Sequence, residues 1–367
     1  MKDLAASINH INEYFKDPKG KITLGIDGIV DEVWQIISSR KNPDEYILFE
    51  KMKDFAKSVY DCGEGGYANE ILPKRRIYGG FTANTGKAVK RLGGSPVLLG
   101  MFGKEGGVDP AFEEFLEEGK LFTVAEAPVC QIFEFADGKL ILPYIAERMH
   151  FNWETLVDVV SWDGLKEAFT NVDVVGLGYW SSMPHFDEIL SKLCEHFLIG
   201  QGSRLFFDFA DIRKRSREAL EHTLYLLAEL NEQVPMTLSL NENEAAILYS
   251  YMGREFSDDG VKALKDTVYT QQQMGLDELI VHTPHFAVGA TANNEAELVK
   301  QQRCEAPVIT TGAGDNFNGG YLTACVKEDA LSLAERLFVG NTVTRFYVRN
   351  GYSPDVKDLE SEMQLAV

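Results

Sequence analysis

The feature that most constrains this chain is a regular alternation of short apolar runs with longer amphipathic segments, separated by glycine or proline. "KITLGI", "SPVLLGMFG", "NVDVVGLGY", "SRLFFDFAD", "PMTLSLN" and "DELIVHTP" are rich in Val, Ile, Leu and Phe, as strands covered on both faces must be. Between them lie helical patterns such as "ANTGKAVKRLGG", "HFDEILSKLCEHFL", "REALEHTLYLLAELNEQ" and "DDGVKALKDTVYTQQQMG". That order predicts βαβ units, a largely parallel sheet and an α/β fold class. Two segments interrupt it. "IVDEVWQII" and "VCQIFEFADGKLILPYI" read as extra strands, the second split by Asp137-Gly138, a strong hairpin signal. These segments, near 29–38 and 129–146, predict a small sheet that lids a site; edge strands of the main sheet are the alternative. Residues 41–72 read as a helix-like stretch, "EYILFEKMKDFAKSVY", followed by a glycine-rich loop. With neither a repeat nor a low-complexity linker, residues 1–367 are expected to form one domain with a lid.

Charge narrows the partners. With 36 Lys and Arg against 56 Asp and Glu, the net charge is −20. So acidic a chain argues against nucleic acid or an anionic membrane as its main partner, while leaving room for a local cationic pocket. Five scattered cysteines form no C-x-x-C pair and suit a reducing compartment. Leu4, Ile8, Ile11 and Phe15 suggest one helix face near the N-terminus rather than a signal or a membrane span. A cytoplasmic location is expected.

The chemistry is expected at strand ends, where helix N-termini collect ligands in an open parallel sheet. In "APVITTGAGDNFNGGYLTACV" an extended run turns at Gly312 and a helix begins near Asp315. Backbone N–H groups of Gly312, Ala313 and Gly314 could converge on developing anionic charge, and Asp315 could take a proton from a substrate hydroxyl. Phosphoryl transfer to an alcohol needs that pairing; a capped helix start is the plainer alternative.

"YGGFTANTGKAVKRLGG" is not a P-loop. Five residues separate Gly80 from Gly86 instead of four, and Ala88 replaces the magnesium-binding Ser or Thr. Gly79-Gly80 instead allows close approach of a small polyol, and Asn84 can bond its hydroxyls or simply cap a helix. In "LSLNENEAAIL", Asn241 and Glu244 lie three apart, suiting either a magnesium ion held largely through water and phosphate or a capping box. Asp27 and Asp31 in "GIDGIVDEV" are candidates for substrate hydroxyls, with turn chemistry as the alternative.

These stretches, in this order, resemble the ribokinase-like (phosphofructokinase-B type) carbohydrate kinase family. "TTGAGDNFNGG" is similar to its C-terminal motif, "GGFTAN" to its Gly-Gly motif, "NENE" to its Asn-x-x-Glu element, and "RNGYSP" to its closing region. The resemblance implies a three-layer α/β/α fold with a mostly parallel central sheet and a small β lid. It also implies transfer of the ATP γ-phosphoryl group to a hydroxyl of a small sugar, with Mg2+. Asp315 would be the base and Gly312, Ala313 and Gly314 the anion hole. Asp31, Asp27, Gly79, Gly80, Asn84 and Arg148 would hold the acceptor; Arg148 could equally be a solvated surface charge. Asn241, Thr283, Thr311, Gly312, Gly314 and Asn341 would meet the nucleotide, with Asn241 and Glu244 at the metal. Pairing through the lid is plausible for such a family.

Two departures touch the donor. Ile309 stands where the family often has Asp, and "IVHTPHFAVGA" lacks the usual Thr-Leu-Gly turn. His282-Thr283 is similar to the ADP-dependent sugar kinases, which leaves ADP open as donor. A metal pair at His282 and His285 lacks a third ligand. A nucleoside kinase and a non-catalytic sugar or nucleotide sensor are the competing readings. A dinucleotide oxidoreductase would need a G-x-G-x-x-G that the first strand lacks.

Overall fold

The computed structural model describes residues 4–18, 20–103, 107–118, 120–196, 199, 202–327 and 330–365. Its strands are β1 (Lys21–Gly25), β2 (Ile29–Arg40), β3 (Tyr46–Leu48), β4 (Ile71–Gly79), β5 (Ser95–Gly100), β6 (Lys120–Thr123) and β7 (Val129–Phe135). They continue with β8 (Gly138–Tyr144), β9 (Val174–Leu177), β10 (Arg204–Asp208), β11 (Met236–Asn241), β12 (Glu278–His282), β13 (Phe286–Thr291) and β14 (Ala296–Lys300).

Nine strands make the main sheet, in the order β14-β13-β12-β11-β10-β9-β1-β5-β6. From β12 to β6 every pairing is parallel, and β13 and β14 add an antiparallel edge. The apolar runs dictate this, because neighbouring residues serve opposite faces. Leu99, Val175 and Phe207 pack in one buried cluster. Leu98, Val174 and Phe206 pack in the other. Helices cover both faces, which yields the expected three layers.

The extra segments form a second sheet rather than edges of the first. It runs β3-β2-β7-β8, with β4 also paired to β2. The hairpin falls where Asp137-Gly138 predicts it, with Phe135 opposite Gly138. Residues 41–72 differ from the expectation: β3 precedes a helix that begins only at Met52. Tyr46 to Leu48 pair with β2, so tertiary pairing overrides the local helical pattern. Strand β4, "ILPKRRIYG", escapes sequence reading because four of its nine residues are Pro, Lys or Arg.

Two helices bring distant motifs together. Helix Phe81–Arg91 packs against helix Ala313–Cys325 at glycine: a Cβ on Gly319 would lie 2.5 Å from the Cβ of Ala88. That approach sets Asn84 beside Asp315. No helix among the described residues is long and apolar enough to cross a membrane.

Candidate active site

A cavity of about 790 Å³ opens between the carboxyl ends of the main strands and the inner face of the lid. Its sheet-side floor is the start of helix Ala313–Cys325. Gly312 takes φ 80° there, a left-handed conformation that glycine adopts without steric cost. Asp315, in the first turn of this helix, accepts a hydrogen bond from Asn84 Nδ2 at 2.8 Å. Deep in the protein yet open to the cavity, its carboxyl is pushed up to about 7 by loss of water, with repulsion from Asp208 adding to the shift.

Asp208, at the end of β10, was not among the sequence candidates. It accepts from Asn318 Nδ2 at 2.8 Å and Ala210 N at 2.8 Å, and burial raises it to about 6. The signal was available: "LFFD" ends a strand in Asp208, much as Asp27 follows the first strand by two residues. Asn241 and Glu244 form the capping box. Asn241 Oδ1 accepts from the backbone N–H groups of Asn243 and Glu244, and Glu244 Oε2 accepts from Asn241 N. Both still line the cavity. Burial and then repulsion by Asp208 hold the Glu244 carboxyl well above the usual range.

Asp208 and Glu244 enter no ion pair among the described residues, and no three His, Cys, Asp or Glu side chains among these gather into a metal cage. Two mutually repelling carboxylates fit a divalent ion that keeps water and phosphate in most of its coordination positions. His282 and His285 supply no such site. The His282 ring stacks on Phe317 at 4.6 Å, and burial lowers it to about 4, so it is neutral.

The lid side carries Asp31, whose β2 position faces the cavity; burial raises its carboxyl to about 6. A Cβ on Gly79 would come within 2.9 Å of Asp31 Oδ2, so Gly79 makes room for that carboxylate. Asp27 differs from the expectation. Fully buried, it accepts from Phe81 N at 3.0 Å, Thr82 N at 2.8 Å and Thr82 Oγ1 at 2.7 Å. It therefore holds the start of helix Phe81–Arg91 and does not line the cavity. Gly80, at φ 95°, lies so close that a Cβ would be 2.1 Å from Asp27 Oδ2.

Arg148 is no surface charge: it is 1% exposed. It donates to Gly28 O at 2.7 Å and Ser182 Oγ at 3.1 Å, and sits 4.6 Å from the Tyr179 ring centroid. Its Nε has no partner among the described residues, and the side chain lines the cavity.

On the nucleotide side, Thr311 O accepts from Tyr347 OH at 2.8 Å, while Thr283 Oγ1 closes the β12–β13 turn through His285 N and Phe286 N. Asn341 stands apart from the main cavity. It lines a neighbouring one of about 580 Å³ that shares Gln301, Gln302 and Arg345 with it. Asn341 Nδ2 donates to Val299 O at 3.1 Å, and its Oδ1 is buried without a partner among the described residues.

This fold and this cavity define a sugar kinase with the ribokinase architecture. Thermotoga maritima ribokinase superposes with a TM-score of 0.65 at 17% identity, covering 94% of this chain and 100% of that one. Arabidopsis thaliana ribokinase, solved with ribose and ATP, gives 0.64 at 16% identity, covering 94% and 98%. In sequence, the model of the prokaryotic ketohexokinase family matches residues 2–364. A ketohexokinase of Haloferax volcanii is 30% identical over 361 residues, spanning 93% of this chain and 90% of that protein. The chain belongs to the prokaryotic ketohexokinase family, a group of phosphotransferases with an alcohol acceptor.

Proposed function

We propose that this chain is a cytoplasmic, magnesium-requiring kinase that transfers the γ-phosphoryl group of ATP to a hydroxyl of a ketohexose. The observation that carries this reading is Asp315 beside the Gly312-Ala313-Gly314 turn, facing a lid that presents Asp31 across one cavity. The name of the Haloferax relative supplies the substrate class; the cavity supports it with a carboxylate, an asparagine and a buried arginine positioned for hydroxyls.

Asp315 takes the proton of the attacking hydroxyl, poised by a carboxyl near 7. The Gly312 and Gly314 N–H groups would face the transferring oxygens, while Ala313 N donates to Thr310 O at 3.2 Å. Asn84 orients the base through its 2.8 Å bond. Asp31 and Arg148 hold the acceptor. Glu244 and Asp208 would hold the magnesium ion, which when bound supplies charge neutralisation for the phosphates. The adenine would occupy the smaller cavity, between Val299 and Phe338 and beside Asn341. Residues 1–367 act as one kinase domain, whose exposed lid residues Leu142 and Tyr144, outside the cavity lining, offer a surface for pairing of two copies. The five unpaired cysteines suit a reducing cytoplasm.

A coupled assay with ATP or ADP, with and without magnesium, across ketohexoses, aldoses, sugar acids and nucleosides tests this reading. Turnover of a ketohexose with ATP and magnesium is expected. Turnover only with ADP, or only of a nucleoside, would replace the donor or the acceptor. Binding without turnover of anything would make the protein a sensor.

A further inference from the structure

We propose that Lys139, carried by lid strand β8, is a catalytic residue that contacts the transferring phosphoryl group between acceptor and donor. The inference rests on the kinase reading above and assigns it a cation that the sequence motifs do not contain. Lys139 is on the lid, yet its Nζ lies 3.5 Å from Thr311 Oγ1, directly ahead of the Gly312-Ala313-Gly314 turn. It spans the cavity from roof to floor.

Its charge is available for this work. On the lid its partner is Glu134, at 3.5 Å. Glu134 is already met by Lys74 at 2.6 Å and by Arg75 in a shorter contact. With three cations around one carboxylate, the longest contact binds Lys139 least. The ammonium also acts on the acceptor end: among the charges that pull the Asp31 carboxyl down, Lys139 comes first, ahead of Arg148 and Arg75. Lys139 thus stands between Asp31, at the acceptor, and Thr311, at the donor turn.

That is the path of the transferred group. The acceptor hydroxyl oxygen forms a bond to the γ-phosphorus, and the bond from that phosphorus to the β–γ bridging oxygen breaks. The hydroxyl proton passes to Asp315, and ADP leaves with the bridging oxygen and its electron pair. Charge on the three equatorial oxygens is poorly solvated at this stage. A lid-borne ammonium would be brought against them as the lid seats, so phosphoryl transfer would be fastest when an acceptor lies under the lid.

The test compares Lys139→Met and Lys139→Arg with wild type, using ATP, magnesium and fructose. Lys139→Met is expected to lose about 100-fold in kcat, the cost of removing one well-placed donor, with acceptor KM changed less than about threefold. Lys139→Arg, which keeps the charge, is expected to recover at least a tenth of the lost rate, on the order of the same donor's worth. A second readout separates this role from a structural one. Asp31 is faced by Lys139 on β8, Arg75 on β4, Arg148, Cys130 on β7 and Tyr179. Removing the first should move the acid limb of kcat/KM to higher pH. An unchanged kcat in Lys139→Met would overturn the inference, as would an equal loss in both variants with the acid limb unmoved. A wild type that phosphorylates no acceptor would sink the kinase reading itself, and Lys139 with it.

Discussion

The two walls of the cavity are built on opposite physical terms. The sheet-side wall is set in the large core: Asp208, Glu244 and Asp315 stand at the ends of buried strands and helices, and each carboxyl is raised by lost water and by Asp208 or its neighbours. The lid wall is a single sheet with a small buried cluster of Ile29, Val33, Cys130 and Ile132. Ile141, Leu142 and Tyr144 on its β8 strand are at least half exposed. Its charges are matched: Glu134 is held near 2 by Lys74 and Arg75 in spite of burial. One wall therefore stores electrostatic conflict among carboxylates that a bound cation relieves. The other carries satisfied charges and uncovered apolar surface, as a part that moves and meets ligand requires. The base and the metal-binding carboxylates belong to the first wall; acceptor choice belongs to the second, which adds Lys139 to the reaction from above.

The largest effect should come from the sheet side. Asp315→Asn is expected to lower kcat about 10³-fold while nucleotide affinity stays within about threefold, a change too small to mark lost binding energy. Wild-type kcat should rise with pH around an apparent value near 7, because the base works only when deprotonated. Stability has the opposite sign. A carboxyl raised from 3.8 in the unfolded chain to about 7 in the fold favours the folded state when protonated, so stability is lost as pH climbs through that window. Asparagine mimics the protonated form. The variant should melt above wild type at pH 8 and level with it near pH 4, by calorimetry. A variant that is inactive and also less stable at pH 8 would contradict this electrostatic account of the wall.

Next in size is the lid. Asp31→Asn should raise acceptor KM about 30-fold, the worth of a charged hydrogen bond at roughly 2 kcal/mol, with kcat falling far less. Wild-type acceptor KM should rise as pH falls below about 6, where Asp31 gains its proton, and the variant should lose that dependence. If Asp31→Asn instead lowered kcat with KM intact, acceptor binding and chemistry would not divide between the walls.

The division also explains what could be read from sequence. The parallel sheet was legible because its strands are covered on both faces and so are almost wholly apolar. Gly312 to Asp315 was legible because a glycine at φ 80° and a carboxylate in the first helical turn leave local traces. Asp27 misled because the sequence shows its place at a strand end but not its partners, the N–H groups of Phe81 and Thr82, 54 and 55 residues away. Asn241 and Glu244 stayed ambiguous for the opposite reason: the capping box and the cavity position are both real. The lid was hardest. Strand β4 is polar, β3 is three residues long, and Lys139 gains meaning only through Thr311, 172 positions on.

Glu244→Gln sharpens the first wall at smaller cost. The amide keeps an oxygen for Asn241 N but removes the charge facing Asp208. The magnesium concentration for half-maximal rate should rise about 10-fold, as when a supporting ligand is neutralised, while saturating magnesium restores most of kcat. Removing one of two repelling charges should also leave the protein at least as stable as wild type at pH 7. An unchanged magnesium requirement would take Glu244 out of the metal site and leave it a helix cap alone.

The smallest effect tests whether the lid's ion cluster is only scaffold. In Glu134→Gln the carboxylate shared by Lys74, Arg75 and Lys139 is lost, but the cations are between a third and a half exposed, so water screens most of the repulsion that remains. Stability should fall by no more than about 1 kcal/mol, seen as a small drop in urea midpoint that shrinks further in high salt. Glu134 pulls Lys139 away from Thr311, so its loss should leave kcat unchanged or slightly raised. A large fall in kcat would mean that Glu134 positions Lys139 for the reaction, and the lid's matched charges would then belong to the chemistry as well as to the fold.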